Sequence, residues 1–254
     1  MDSFDLKGRV AVVTGGNGGI GLGMARGLAR AGAAVVVAAR DPEKNRRAAG
    51  ELGALGVEAM QVEVDVAEEA SVQAMVRAVT DRFGRLDVLV NNAGINIRKP
   101  PQDYTLAEWR QVIDVNLTSA FLTSREVYPT MKRQGGGKII NIGSMMSIFG
   151  AAFVTAYGSS KGGIVQFTRA CATAWARDNI QVNAVLPGWI DTDLTTRARR
   201  EVEGLHDRVL ARTPAGRWGV IDDMGGIAVF LASSASDFVT GTAIPVDGGY
   251  SIQG

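Results

Sequence analysis

Tyr157 and Lys161 stand four residues apart in a stretch of helical periodicity, so both side chains leave one face of a single helix. An ammonium beside a phenol favours the phenolate, drawing the tyrosine pKa down from its ordinary value of about 10 toward the range where proton exchange with an alcohol is efficient. Ser144 follows Lys138 to Gly143, a β-rich run, and falls just past the carboxyl end of a strand, where open α/β sheets bind ligands. Its hydroxyl is a donor for a substrate oxygen. A Tyr/Lys pair at this spacing arises by chance in about one chain of this composition in ten, so its meaning depends on the elements that position it.

The first of those elements is a strand, Arg9 to Thr14, that breaks into Gly15-Gly-Asn-Gly-Gly-Ile-Gly21 before a helical stretch, Leu22 to Ala31. Glycines there allow a sharp turn and close approach of a pyrophosphate, whose charge meets the free amides of the helix start. Gly15, Asn17, Gly19, Ile20 and Gly21 are the expected dinucleotide contacts. A second strand, Ala33 to Ala39, ends in Arg40-Asp41-Pro42. An acidic residue near this point reads a ribose 2′-hydroxyl and an arginine a 2′-phosphate. Asp41 precedes a proline at a helix start and is expected as its N-cap, which leaves Arg40 as the reader and favours NADP, with NAD possible.

The β-helix alternation continues through a helix from about Pro42 to Leu55, a strand Val57 to Val64, a helix from about Glu68 to Phe83 and a strand Leu86 to Val90. Asp65 and Val66 follow the third strand as candidate adenine contacts, with turn-capping the other use of Asp65. Asn91-Asn92-Ala93-Gly94 follow the fourth: the amides are expected to tie strand ends together, Asn91 structurally, while Gly94 admits a ribose. Arg98 and Lys99 lie in the next loop, and a guanidinium there suits an anionic substrate. Asn116 sits inside the long amphipathic pattern Thr105 to Arg133, where an asparagine is locally unfavourable and invites a functional explanation. A sixth strand, Ile180 to Leu186, runs into Pro187, Gly188, Trp189, Ile190 and Thr192. Pro187, Gly188, Ile190 and Thr192 are expected cofactor contacts, Thr192 at the nicotinamide carboxamide, and Met146 and Trp189 are candidate substrate contacts. Residues 189–213 lack clean periodicity and are expected to overhang the ligand edge as a lid, with His206 an exposed lid residue. A helix Asp222 to Ala232 and a strand Thr242 to Val246 close a single domain, 1–254.

Composition excludes several classes. The net charge of +1, with 46% hydrophobic and 21% charged residues, argues against a nucleic-acid partner and against disorder. No apolar run approaches the roughly eighteen residues of a bilayer span, so no membrane partner is expected and a cytoplasmic location is. A lone cysteine, Cys171, and a lone histidine, His206, leave no disulfide, metal site or histidine-based triad to expect. Cys171 shares a helical stripe with Ile164, Phe167, Thr168, Ala174 and Trp175 and is expected in the core.

The glycine turn, Asn91-Asn-Ala-Gly94, Asn116, Ser144, Tyr157-x-x-x-Lys161 and Pro187-Gly188 together resemble the short-chain dehydrogenases/reductases across almost the whole chain. The resemblance implies a Rossmann-type doubly wound α/β fold with a seven-stranded parallel sheet in order 3-2-1-4-5-6-7. It also implies roles: Tyr157 exchanges the proton, Ser144 holds the substrate oxygen, Lys161 binds the nicotinamide ribose and lowers the tyrosine pKa, and Asn116 positions a water in a proton relay. Ile139 to Met146 and Thr213 to Gly219 look like the gluconate 5-dehydrogenase and 2-deoxygluconate 3-dehydrogenase group, in which Arg98 suits a sugar-acid carboxylate. The expected activity is NADP-dependent interconversion of a secondary alcohol and a ketone. Alternatives are a 3-oxoacyl thioester reductase, a glucose 1-dehydrogenase-like enzyme and, remotely, a non-catalytic dinucleotide-binding regulator. Such proteins are commonly homotetramers joined through long helices, here about 105–133 and 155–177.

Overall fold

Strand β1, Val10–Thr14, is buried along its whole length. Val10 and Val12 pack into one hydrophobic layer while Ala11 and Val13 pack into another, so both faces of the strand are covered. That is the requirement for a parallel sheet with helices on each side, and it explains why the strands carry continuous apolar runs rather than alternating ones. A computed structural model of the protein describes residues 3–253. The chain order is β1, α1 (Gly19–Arg30), β2 (Ala34–Ala39), α2 (Pro42–Gly53), β3 (Ala59–Glu63), α3 (Glu69–Phe83), β4 (Val88–Asn91), α4 (Leu106–Ile113), α5 (Ser119–Arg133), β5 (Gly137–Ile142), α6 (Thr155–Trp175), β6 (Ile180–Pro187), α7 (Asp193–Glu201), α8 (Leu205–Arg212), α9 (Gly225–Ala232) and β7 (Ala243–Val246).

The seven strands form one parallel sheet in the order β3-β2-β1-β4-β5-β6-β7, as the sequence resemblance implied. The order reverses between β1 and β4, and the carboxyl ends of those two strands open a crevice at the switch point. On one face of the sheet lie Met24 and Leu28 of α1 with Met224, Ala228 and Leu231 near and on α9. On the other lie Met75 and Val79 of α3, Leu122, Val127 and Met131 of α5 and Cys171 of α6. Each fully buried Leu or Met here contributes about 2 kcal/mol of transfer free energy. Helix α1 approaches its neighbours closely: a Cβ at Gly23 would fall 1.9 Å from Ile221 O, and one at Gly27 would fall 2.6 Å from Gly225 Cα.

Two elements differ from the sequence expectation. The long pattern at 105–133 is not one uniform helix, because a π-helical turn, Asp114–Thr118, separates α4 from α5. Residues 189–213 are not irregular; they form α7 and α8, and α7 begins at a Thr192 N-cap whose Oγ1 accepts from Thr195 N. No helix among the described residues is long and apolar enough to cross a membrane.

Candidate active site

The glycine turn is built by the ends of β1 and β4. Thr14 Oγ1 accepts from Asn92 N at 3.0 Å and Ala93 N at 3.2 Å, and Asn92 Nδ2 returns a bond to Thr14 O at 2.9 Å. Asn91 points the other way, donating to Ser124 Oγ and Asn141 Oδ1, so it locks β4 to β5 as expected of a structural amide. The turn itself needs positive φ at Gly15 (63°) and Gly19 (52°). Gly18 supplies no side chain to cap α1, which leaves the first amides of the helix to the cleft lined by Gly18, Gly19 and Ile20. This is an anion cradle suited to a pyrophosphate.

The cleft holds about 880 Å³ and runs from α2 across the switch point to α6 and α7. Of the expected site residues, Gly15, Asn17, Gly19, Ile20, Arg40, Asp65, Val66, Asn92, Ala93, Gly94, Arg98, Ser144, Met146, Tyr157, Lys161, Pro187, Gly188, Trp189, Ile190 and Thr192 all line it. Gly21 and Asn116 do not. Gly21 lies beneath the turn, where a Cβ would sit 2.4 Å from Gly15 O and from Asn92 Nδ2. Asn116 is buried on the π-turn, accepting from Ile95 N at 2.8 Å and donating to Ile95 O at 2.9 Å and Ser160 Oγ at 3.0 Å. Both amide protons of Asn116 are therefore engaged by protein, and the residue fastens the loop after β4 to α6.

Asp41 caps α2 through Glu43 N and Lys44 N, leaving Arg40 exposed at the end of the cleft. Asp65 accepts from Ala67 N at 3.0 Å, which is the turn-capping use, and it also lines the cleft. Sequence reasoning passed over several contributors. Lys44 and Arg47 line the same end of the cleft as Arg40, on a face of α2 that continues through Ala48 and Glu51 at helical spacing. Asn45 receives Asn17 Nδ2 at 2.8 Å and donates to Ala39 O and Val62 O, joining the glycine turn to β2 and β3. An unsatisfied-looking asparagine one turn into a helix was the available signal.

At the chemical end, Ser144 Oγ accepts from Met146 N at 3.1 Å, and Ser147 Oγ accepts from Ser144 N and donates to Lys161 O at 2.7 Å. The loop after β5 is thus sewn to α6. Ser144 and Tyr157 both line the cleft, and Lys161 Nζ lies 5.7 Å from the phenol ring centroid. The electrostatics differ from the expectation drawn from spacing. Burial pushes the Tyr157 phenol above its ordinary value, and the influences opposing it are the Ser144 hydrogen bond and the positive charge of Arg98. The Lys161 ammonium is buried, donates to Ile142 O at 2.7 Å, and is itself pushed down to about 8 by desolvation. Cys171 is buried away from the cleft and its thiol is pushed up to about 11 by burial, which leaves it protonated and inert.

The 189–213 segment is pinned over this end by rings and guanidinium groups. Arg199 lies 4.4 Å over Trp218, and Arg212 lies between Phe149 and Tyr250 at 4.6 and 4.5 Å. His206 is exposed, its ring stacked on Trp218.

A turn suited to a pyrophosphate, in one cleft with a serine, a phenol and a lysine one helical turn along from it, is the arrangement of a dinucleotide-dependent oxidoreductase working on an alcohol or ketone oxygen. Residues 15–251 match the family model described as enoyl-(acyl carrier protein) reductase. The chain is 42% identical over 250 residues to a 2-dehydro-3-deoxy-D-gluconate 5-dehydrogenase of Formosa agariphila, covering 98% of this chain and 95% of the relative. It is 38% identical to a gluconate 5-dehydrogenase of Gluconobacter oxydans, covering 99% and 98%. Among solved structures, a gluconate 5-dehydrogenase from Burkholderia cenocepacia, crystallised with NADP and tartrate, superposes with a TM-score of 0.95 at 42% identity, covering 100% of this chain and 99% of that one. The chain belongs to the short-chain dehydrogenase/reductase family.

Proposed function

We propose that the protein is an NADP(H)-dependent oxidoreductase that interconverts a secondary hydroxyl and a ketone on a sugar acid of the gluconate/5-ketogluconate type. The observation that carries this reading is that Ser144, Tyr157 and Lys161 line the same cleft as the glycine turn and the uncapped start of α1. The relatives named for gluconate and deoxygluconate oxidation, and the NADP held by the Burkholderia protein, support the substrate class and the cofactor.

Bound nicotinamide supplies or takes the hydride. Tyr157, held protonated at neutral pH by burial, gives its proton to the carbonyl oxygen as that oxygen gains charge, and Ser144 holds the same oxygen. Of the three Lys161 N–H donors, one is spent on Ile142 O, leaving two for ribose hydroxyls. Arg98 offers its guanidinium to the sugar-acid carboxylate from the loop after β4. Arg40, with Lys44 and Arg47, supplies the positive charge a 2′-phosphate requires, and none of the three has an acidic partner among the described residues. Asn116 serves the site by positioning the backbone at Ile95. Residues 189–213 act as the lid. We place the enzyme in the cytoplasm as a homotetramer joined through 105–133 and 155–177, where Leu106 and Phe121 are exposed apolar side chains in need of cover.

The test is turnover of 5-ketogluconate with NADPH beside acetoacetyl thioesters and glucose with NADP. Tyr157→Phe is expected to lower kcat by at least about a hundredfold while NADPH still binds. Turnover within tenfold of the parent, or a preference for the thioester, refutes the assignment.

A further inference from the structure

Arg98 Nη1 donates to Glu201 Oε2 at 2.8 Å, a pair in which the arginine side chain is 17% exposed and the glutamate 35%. Glu201 is the last residue of α7, and its other oxygen is held by Arg197, one turn earlier. The bond to Glu201 is the only one Arg98 makes among the described residues, so the Nε–Nη2 edge of its guanidinium has no protein acceptor, although Arg98 lines the cleft. The charge count leads the same way. Two arginines share one glutamate, which leaves a single positive charge that one ligand carboxylate would balance.

We propose that Glu201 is a positioning residue for substrate: it grips one edge of Arg98 so that the opposite edge presents two parallel N–H donors to the terminal carboxylate of a sugar acid. Arginine is flexible, and a bidentate bond to a carboxylate loses rotamer freedom unless something has already fixed the guanidinium plane. Glu201 fixes it in the free enzyme. Because Glu201 belongs to α7, the same guanidinium ties the docking of that helix to occupancy of the carboxylate site. A substrate of equal length without a carboxylate gains nothing from the arrangement. Arg197 matters too, since it offsets the Glu201 charge that would otherwise repel the incoming carboxylate.

The inference rests on the reading of Arg98 as the carboxylate anchor, and the experiment separates the two. KM is measured for 5-ketogluconate and for the neutral ketose D-fructose in the parent, Arg98→Ala, Glu201→Gln and the double variant. Arg98→Ala is expected to raise the ratio of the two KM values about tenfold or more, the scale of a charge-assisted bidentate bond. Glu201→Gln is expected to raise that ratio about fivefold with kcat much less affected, and to add nothing once Arg98 is gone. If Arg98→Ala raises the ratio and Glu201→Gln does not, the positioning role fails and the anchor stands. If Arg98→Ala leaves the ratio unmoved, the anchor itself fails. A ratio that falls in Glu201→Gln would mean that Glu201 competes with substrate for Arg98, and additive effects in the double variant would mean that it acts elsewhere; either overturns the proposal.

Discussion

Lys161 offers a test of the electrostatics that is independent of substrate. Its ammonium is 4% exposed and titrates at about 8, against 10.5 for the ordinary lysine, with desolvation as the cause. Between those two values the unfolded chain binds a proton that the folded protein has released, so folding stability rises with pH across that interval. At about 1.36 kcal/mol per unit, the rise from about pH 8 to about pH 10 amounts to roughly 3 kcal/mol. Below about pH 8 both states are protonated and Lys161 contributes no slope. In Lys161→Met the slope from this residue disappears, whereas every other titrating group is retained and cancels in the comparison. The substitution also strands the Ile142 carbonyl, which accepts the Lys161 proton at 2.7 Å, costing about 1–3 kcal/mol at all pH values. The diagnostic quantity is therefore the change in the stability difference with pH rather than its absolute size. Urea unfolding of parent and variant from about pH 7 to about pH 10 is expected to show the parent gaining roughly 3 kcal/mol relative to the variant. Parallel stability profiles would mean that Lys161 keeps its proton across the range and that burial does not govern this end of the cleft.

Two further outcomes probe the cofactor end. Arg40→Ala is expected to weaken NADPH about tenfold, with NADH changed less than about threefold, because Lys44 and Arg47 remain beside the 2′-phosphate position; fluorescence titration of both cofactors checks it. Gly21→Ala is expected to cost about 1–3 kcal/mol of stability and to weaken both cofactors together, since its Cβ would meet Gly15 O and Asn92 Nδ2 at 2.4 Å and force the turn open. Thermal unfolding beside the same titrations would expose any preference between the two cofactors, which a displaced turn does not explain.

The sheet and the line of cleft residues were legible because their causes are local. Continuous apolar runs mark strands covered on both faces, and the glycine turn and Pro42 announce where strands end and helices start. The π-turn at Asn116 was legible only as an oddity, an asparagine within a helix; that its amide fastens Ile95 to Ser160 depends on partners 21 and 44 positions away. Likewise α7 and α8 escaped the periodicity of 189–213, because much of what holds them comes from elsewhere: Phe149 and Tyr250 around Arg212, and Trp218 beneath Arg199 and beside His206. Glu201 carries no local sign of importance at all. Its partner Arg98 is 103 positions earlier in the chain.

The difference at Tyr157 has a chemical consequence. Helical spacing correctly places an ammonium and a phenol on one face, but spacing carries no information about dielectric, and burial penalises whichever member of the pair is charged. The phenol is pushed up and the ammonium down to about 8, so the two values move apart and an interval opens above about pH 8 in which both groups are neutral. A phenol that keeps its proton at neutral pH is matched to donating it, which is the requirement of ketone reduction; removing a proton from an alcohol calls for the phenolate, and hence for more alkaline conditions or for charge brought in beside the ring. Arg98 is one such charge already in place, because it is among the influences that lower the Tyr157 pKa. A substrate carboxylate that engages Arg98 would offset part of that charge and keep the phenol protonated. On the proposal that Arg98 anchors a keto acid, binding the substrate and keeping its proton donor protonated would be the same electrostatic event.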